Sequence, residues 1–110
     1  MKLREIVEKL HLTHVYGELD IDVKRGCSGD LLSEIMRSCK SDSIWITVQS
    51  HVNIVAVAVV VGIRAIVLCN GYDYDQDTFE KAKREGITLL RTEKDPFEVA
   101  GKIYQLMEGA

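Results

Sequence analysis

The chain lacks the features that mark several large classes of protein. Its 110 residues have a formal net charge of −3 and contain no stripe of Lys and Arg. General nucleic-acid binding needs clustered cations, so we expect no nucleic-acid partner. The longest apolar stretch, 44–71, is interrupted by polar residues that include Gln49, His51, Asn53 and Arg64. No run of about 18 apolar residues remains, so we expect no membrane partner.

Other absences concern processing and organisation. The N-terminal residues show no signal-peptide core. No linker, low-complexity run or internal repeat divides the chain, so its length predicts one domain over residues 1–110.

Cysteines are few, and their spacing is uninformative. The chain has three: Cys27, Cys39 and Cys69. An odd number without a CxxC pair argues against a disulfide framework or a zinc knuckle, so we expect a reducing, cytoplasmic setting. Cys39 and Cys69 are predicted core residues, whereas Cys27 lies beside Arg25 in a glycine-flanked segment and is a candidate reactive thiol. The histidines have no recognised zinc spacing with these residues, so we expect no metal and no cofactor.

The stretch 44–71 predicts the architecture. Two β-branched runs, 44–48 and 65–69, flank the apolar segment 52–61. Propensity alone favours a strand in that segment, but a strand needs a tight turn at Ser50-His51, where Gly or Asn is absent. A helix can be capped by Ser50, can end at Gly62 and can connect two parallel strands. We therefore predict a helix over 52–61, apolar on all sides and nearly fully buried.

Strands and helices alternate in the rest of the chain. Periodicity predicts helices over 1–10, 31–39 and 76–85, and Asp30 is the predicted N-cap of the second. Asp95 caps and Pro96 begins a last helix. Further strands are predicted at 15–21 and 87–90, with a loop at 25–29. This alternation predicts an α/β fold: a three-layer, mainly parallel open sheet of four to five strands with helices on both faces. Among the aromatic residues, Trp45 and Tyr104 are predicted in the core, and Tyr72 and Tyr74 in an exposed loop.

The whole chain resembles the DRTGG domain family. The resemblance lies in Gly-Asp-Leu-Leu-Ser at 29–33, in the segments 46–56 and 65–71, and in Ile-Thr-Leu-Leu at 87–90, followed by Thr92 and Asp-Pro-Phe at 95–97. It implies a fold similar to the N-terminal domain of HPr kinase/phosphorylase. Members occur alone or fused to CBS domains and phosphotransacetylases, which implies a regulatory or ligand-sensing role. The string Asp-Arg-Thr-Gly-Gly is absent, and Cys69-Asn70-Gly71 stands where many relatives have Thr-Gly-Gly.

A candidate ligand site follows from the predicted topology. In open parallel sheets, ligands collect beyond the carboxyl ends of the strands, where helix N-termini favour anions. The expected binding residues are Ser28, Gly29, Asp30, Gln49, Ser50, His51, Asn53, Asn70, Gly71 and Thr92. The alternative is that these residues only cap helices and form tight turns.

No pattern predicts catalysis. Gly26-Cys27-Ser28-Gly29 lacks the Gly-Lys-Ser/Thr of a phosphate-binding loop. His51 has no carboxylate assigned to it by the sequence, although an enzyme using His51 with Asp30 or Asp73 is a third possibility. Asp73, Asp75 and Asp77 alternate like the start of a calcium loop, but the required Gly and Glu are missing, so helix capping is favoured.

Two non-enzymatic functions are favoured over this third possibility. The first is a non-enzymatic regulatory or ligand-sensing module that binds a small anionic metabolite and forms a homo-oligomer, with a dimer favoured. The second is an interaction domain that docks on a separate enzyme without a small ligand.

Overall fold

The computed structural model describes residues 1–109 and contains five strands and five helices. The strands are β1 (Thr13–Tyr16), β2 (Arg25–Ser28), β3 (Ser43–Thr47), β4 (Ala65–Leu68) and β5 (Thr88–Arg91). The helices are α1 (Leu3–Leu10), α2 (Leu32–Ser38), α3 (Asn53–Val61), α4 (Gln76–Glu85) and α5 (Pro96–Gly109).

All five strands form one sheet in the order β1-β5-β4-β3-β2. Strands β2 to β5 are parallel, and β1 is antiparallel to β5. The crossover helices α2, α3 and α4 pack on one face, while α1 and α5 pack on the other. The predicted three-layer α/β fold is confirmed, and the single antiparallel pair makes the sheet mixed.

The segment 52–61 is helical, as predicted. Helix α3 ends at Gly62, which adopts a left-handed conformation with φ of 90°. The expectation of nearly full burial is wrong, because α3 packs on the sheet with one side only. Val59 and Val60 lie on its outer side, and their exposed fractions are 44% and 70%.

Two strand predictions were wrong near the N-terminus. The predicted strand at 15–21 ends at Tyr16, because Gly17 adopts a φ of +106° and approaches the backbone of Thr88 too closely for any Cβ. The predicted loop at 25–29 is instead the edge strand β2, which pairs with β3. The sequence did not reveal this strand, because Gly and Ser have low strand propensity.

The cysteine prediction was also wrong. Cys27 and Cys39 form a disulfide, with their Cα atoms 5.8 Å apart. Helix α2 runs back along β2, and Cys39, the residue after its last turn, lies beside the strand. Cys27 is therefore not a free thiol in this structure. Cys69 is free and buried, as predicted.

Aromatic residues divide between core and surface differently from the prediction. Trp45 is fully buried and donates Nε1–H to the Gly29 carbonyl at 2.9 Å, and Tyr72 is exposed, both as predicted. Tyr104 was predicted in the core but is 69% exposed. Tyr74 is half-buried rather than exposed, since its hydroxyl contacts the Leu90 carbonyl at 2.6 Å.

Of the helices in residues 1–109, none combines the length and the apolar character that a membrane span requires.

Candidate functional site

The loops that follow the four parallel strands meet at one edge of the sheet. We call this edge the carboxyl rim and define it as residues 28–31, 48–53, 69–75 and 92–95. All ten predicted binding residues lie on it, because β2, β3, β4 and β5 run in the same direction. The side chains within the rim form separate hydrogen-bonded groups rather than one cluster.

The first group is centred on Asp30. Its Oδ1 accepts hydrogen bonds of 2.9 Å from the Thr47 hydroxyl and 2.9 Å from the Val48 N–H. The Gln49 side chain donates to the Asp30 carbonyl at 3.2 Å. Asp30 was predicted to cap α2, but the N-cap is Leu31 and makes no side-chain cap. Through these hydrogen bonds Asp30 instead connects the loop after β2 to the end of β3.

The second group is centred on Asp75. Its carboxylate accepts the Ser50 hydroxyl at 3.3 Å and contacts His51 Nδ1 at 3.1 Å. The Ser50 carbonyl accepts the Asp75 N–H and the Thr78 hydroxyl. Ser50 and Asp75 were both predicted as caps, but neither side chain caps its helix. Together they join the loop after β3 to the start of α4.

This group also shows which carboxylate His51 contacts. The sequence assigned no carboxylate to this histidine, and the structure places Asp75 beside it. Ser50 donates to the same carboxylate rather than to the imidazole. In a catalytic triad the histidine lies between the hydroxyl and the acid, so this arrangement does not activate Ser50 as a nucleophile.

The third group is the turn at Asn70-Gly71. Both residues have positive φ, 63° and 73°, and the Tyr72 N–H contacts the Cys69 carbonyl at 3.4 Å, which is the geometry of a type I′ turn. The Asn70 N–H donates to the Lys94 carbonyl, and the Gly71 N–H donates to the Thr92 carbonyl, each at 2.9 Å. These amides are therefore already bonded, and only the exposed Asn70 side chain remains for a ligand at this turn.

Carboxylates dominate the charge of the rim. Burial, together with the negative charges of Asp95 and Asp30, raises the pKa of the Cys69 thiol to about 11. The cation Arg91 is already engaged, because it contacts Asp73 at 3.1 Å and Glu93 at 3.3 Å. The Lys94 ammonium group donates a hydrogen bond to the Leu10 carbonyl at 3.0 Å.

The donors that remain for an anion lie at the start of α3. His51 is exposed, as is the side chain of Asn53, and the first turn of α3 contains no acidic residue. Asp95 caps α5 through the Glu98 N–H at 2.9 Å, as predicted, which uses part of that helix terminus. Of the residues predicted to bind an anion, those whose donors are least engaged thus lie in the loop after β3 and the first turn of α3.

Sequence reasoning missed three residues that organise the rim. Thr47 is buried and oriented by Asp30, and Arg91 holds the loop after β4 through the Gly71 and Tyr72 carbonyls. Asp75 was considered only as a cap or a calcium ligand. In residues 1–109 no three His, Cys, Asp or Glu side chains are grouped as metal ligands.

Comparisons with known proteins agree with this fold. The CBS and DRTGG domains of the regulatory region of a Clostridium perfringens pyrophosphatase, solved with its activator diadenosine tetraphosphate, superpose with a TM-score of 0.70. The sequences are 16% identical, and the match covers 94% of this chain and 46% of that one. The chain thus spans less than half of that regulatory region. No curated protein matches the sequence. The sequence profile of the DRTGG domain matches residues 17–106, and the chain therefore belongs to the DRTGG domain family.

Proposed function

We propose that the chain is a non-enzymatic regulatory module that senses a small ligand at the carboxyl rim. The observation that carries this proposal is the hydrogen bonding between loops. Asp30 joins the loop after β2 to the end of β3, and Asp75 joins the loop after β3 to the start of α4. A ligand that contacts one loop therefore acts on its neighbours.

The ligand chemistry follows from the donors that the fold leaves available. A carboxylate or phosphate group is bound by His51 Nε2, by the Asn53 side chain and by the backbone N–H groups of residues 51–53, where the helix dipole favours negative charge. The N–H groups of Ile54 and Val55 already donate to carbonyls of the same turn, and His51 Nδ1 contacts Asp75. Gln49 lies next to them and contributes its free amide oxygen to a donor on the ligand. Such a ligand shifts the equilibrium of the rim only by its difference in affinity between two states.

The regulated target is a second part of this proposal. The similar solved structure from Clostridium perfringens is a regulatory region of a pyrophosphatase and holds a nucleotide activator. By analogy with that activator, we propose that nucleotides are the first ligands to examine. We further propose that this module forms a homodimer and acts on a separate enzyme. The analogy concerns the kind of role, since at this identity only the fold carries over.

A second candidate function is docking on a partner protein without a ligand. It is favoured by large apolar side chains on the surface: Leu31, Met36, Val59, Val60, Phe97 and Tyr104 are exposed. Exposed apolar residues in such number mark contact surfaces more often than isolated ones do.

Calorimetric titration tests the ligand proposal. The purified chain is titrated with diadenosine tetraphosphate, AMP, ATP, acetyl phosphate and inorganic phosphate. We expect His51→Ala to weaken binding of the active probe at least tenfold and His14→Ala, which changes another exposed histidine away from the rim, to leave it unchanged. Gln49→Ala and Gln105→Ala form a second matched pair. Absence of heat and of a thermal shift with every probe contradicts ligand sensing and favours docking alone.

The redox state of the Cys27–Cys39 pair tests the cytoplasmic location that the sequence predicts. A cytoplasmic protein is expected to keep Cys27 and Cys39 as thiols. Alkylation of freshly lysed cells, followed by mass spectrometry of the two peptides, measures that state. Full alkylation of both supports a cytoplasmic location, and protection of both contradicts it.

A further inference from the structure

The two edges of the sheet differ in how well they are protected against pairing. At one edge, the register between β1 and β5 shifts between His14 and Tyr16. Such a bulge twists an edge and discourages another strand from pairing with it. At the other edge, β2 pairs with β3 in uninterrupted register and contains neither a bulge nor a proline.

The outer side of β2 offers unpaired backbone groups. The Gly29 N–H donates to the Ile46 carbonyl at 3.1 Å, so the odd-numbered residues of β2 direct their backbone groups toward β3. Strand alternation then directs the N–H and C=O groups of Gly26 and Ser28 away from the sheet. Both residues are exposed, and within residues 1–109 neither forms a backbone hydrogen bond outside the β2–β3 ladder.

We propose that a second copy of this chain docks on this edge, with the two β2 strands antiparallel about a two-fold axis. This inference rests on the homodimer of the proposed function and names its surface. Gly26 of each copy then exchanges hydrogen bonds with Ser28 of the other, and Cys27 lies opposite its own counterpart. The two sheets become one continuous sheet, and the interface is self-complementary as a two-fold axis requires.

Charge selects this register over its neighbours. Lys24 and Asp30 flank β2, three residues on either side of Cys27, so the two-fold axis through Cys27 brings Lys24 of each copy to the same end of the interface as Asp30 of the other. Both side chains are exposed. Asp30 accepts the hydrogen bonds from Thr47 and Val48 through Oδ1, which leaves Oδ2 for the second copy. Lys24 forms only a long ion pair within its own copy, with Asp42 at 3.9 Å. A shift of the register by two residues brings Lys24 opposite the neutral Ser28 instead.

Apolar side chains beside the edge support the same occupant. On the α5 face, Gly26 and Ser28 leave a groove of about 110 Å³ that is lined by Ala100, Tyr104 and Met107, among others. Tyr104 is exposed, and Phe97 lies two turns away on the same side of α5 with 90% of its surface exposed. Edge-to-edge pairing brings the two α5 helices toward each other and removes these rings from water.

The interface also connects the dimer to the carboxyl rim. Lys24 of the second copy lies beside Asp30, which is fastened to the end of β3. A ligand that moves the loop after β2 therefore changes a contact between the copies, and the strength of dimerisation becomes a readout of ligand binding.

Crosslinking through Cys27 tests the two-fold register directly. Cys39→Ser frees Cys27 from its disulfide, and diamide then accepts two electrons and two protons as an S–S bond forms between the copies. We expect a covalent dimer on a non-reducing gel after circular dichroism has confirmed the fold. Cys27→Ser is the control and should give none, because Cys69 and Cys39 are both buried. A dimer of Cys39→Ser in sedimentation without crosslinking overturns the inference.

Charge exchange provides a second test. We expect Lys24→Glu to weaken dimerisation at least tenfold in sedimentation equilibrium, and Lys40→Glu, its control, to leave it unchanged. Mixing Lys24→Glu with Asp30→Lys restores both charge pairs in a heterodimer, so association should recover. An unchanged dimer of Lys24→Glu overturns this surface alone. A monomeric wild-type chain overturns the homodimer as well, whereas ligand binding at the rim is measured independently by calorimetry.

Discussion

Removing the carboxylate of Asp30 tests whether the carboxyl rim is held together as described. Asp30→Ala deletes two hydrogen bonds to a charged acceptor, from the Thr47 hydroxyl and from the Val48 N–H, both at 2.9 Å. The Thr47 hydroxyl is the more costly loss, because Thr47 is 1% exposed and water cannot readily replace its partner. Hydrogen bonds to charged groups contribute about 1.5–3 kcal/mol each when fully formed.

The expected loss is smaller than the sum of two such bonds. Asp30 is itself exposed, so solvent screens its charge and stays available to the Val48 N–H. We therefore expect Asp30→Ala to lower the free energy of unfolding by about 2–3 kcal/mol, which lowers Tm by about 10 °C for a chain of this size.

Urea unfolding followed by circular dichroism measures this loss. Asp22→Ala is the control, since it removes an exposed carboxylate whose ion pair with Lys2 has an N–O distance of 3.7 Å and should cost less than about 1 kcal/mol. Thr47→Val completes a double-mutant cycle and should couple to Asp30→Ala by about 1 kcal/mol. If Asp30→Ala and Asp22→Ala destabilise the chain equally, the Asp30 bridge does not hold the rim.

Three other predictions follow from single contacts. Cys39→Ser opens a disulfide with a sequence separation of 12 and should lower the free energy of unfolding by about 3 kcal/mol in urea; equal stability of the oxidised wild type and the variant contradicts this. Cys69, with its pKa raised to about 11, should resist Ellman's reagent at pH 8 until urea unfolds the chain, and rapid labelling of the folded protein refutes its burial. Arg4 lowers the pKa of Asp20 through a hydrogen bond. This pair should therefore stabilise the fold above the unfolded pKa of Asp and lose its effect as the pH falls through the folded pKa. Arg4→Ala should raise the Asp20 pKa in an NMR titration, and an unchanged value contradicts the pairing.

Elements with local signals could be predicted from the sequence. Helix α4 spans 76–85 in both prediction and structure, because its apolar spacing and the following Gly86 are encoded within ten residues or so. Helix α3 was recovered from the missing turn residues at Ser50-His51 and from Gly62. The carboxyl rim was also predictable, since parallel strands joined by helices must place their loops at one edge.

Features that depend on distant residues were not predictable. Strand β2 has weak strand propensity and exists because β3 lies beside it, and Cys39 reaches Cys27 only because α2 folds back. Asp75 meets His51 across 24 residues. Likewise, periodicity assigns Tyr104 an apolar side of α5, but only the position of the neighbouring strand determines that this side remains uncovered.

By itself, the sequence determined the alternation of strands and helices, the three-layer fold and the edge of the sheet at which the loops gather, because backbone preferences and apolar spacing act over a few residues. The tertiary structure decided which polar groups are already bonded to each other, which cysteines pair and which strand edge stays open. These depend on distances between segments far apart in the chain, and such distances exist only after the sheet has formed.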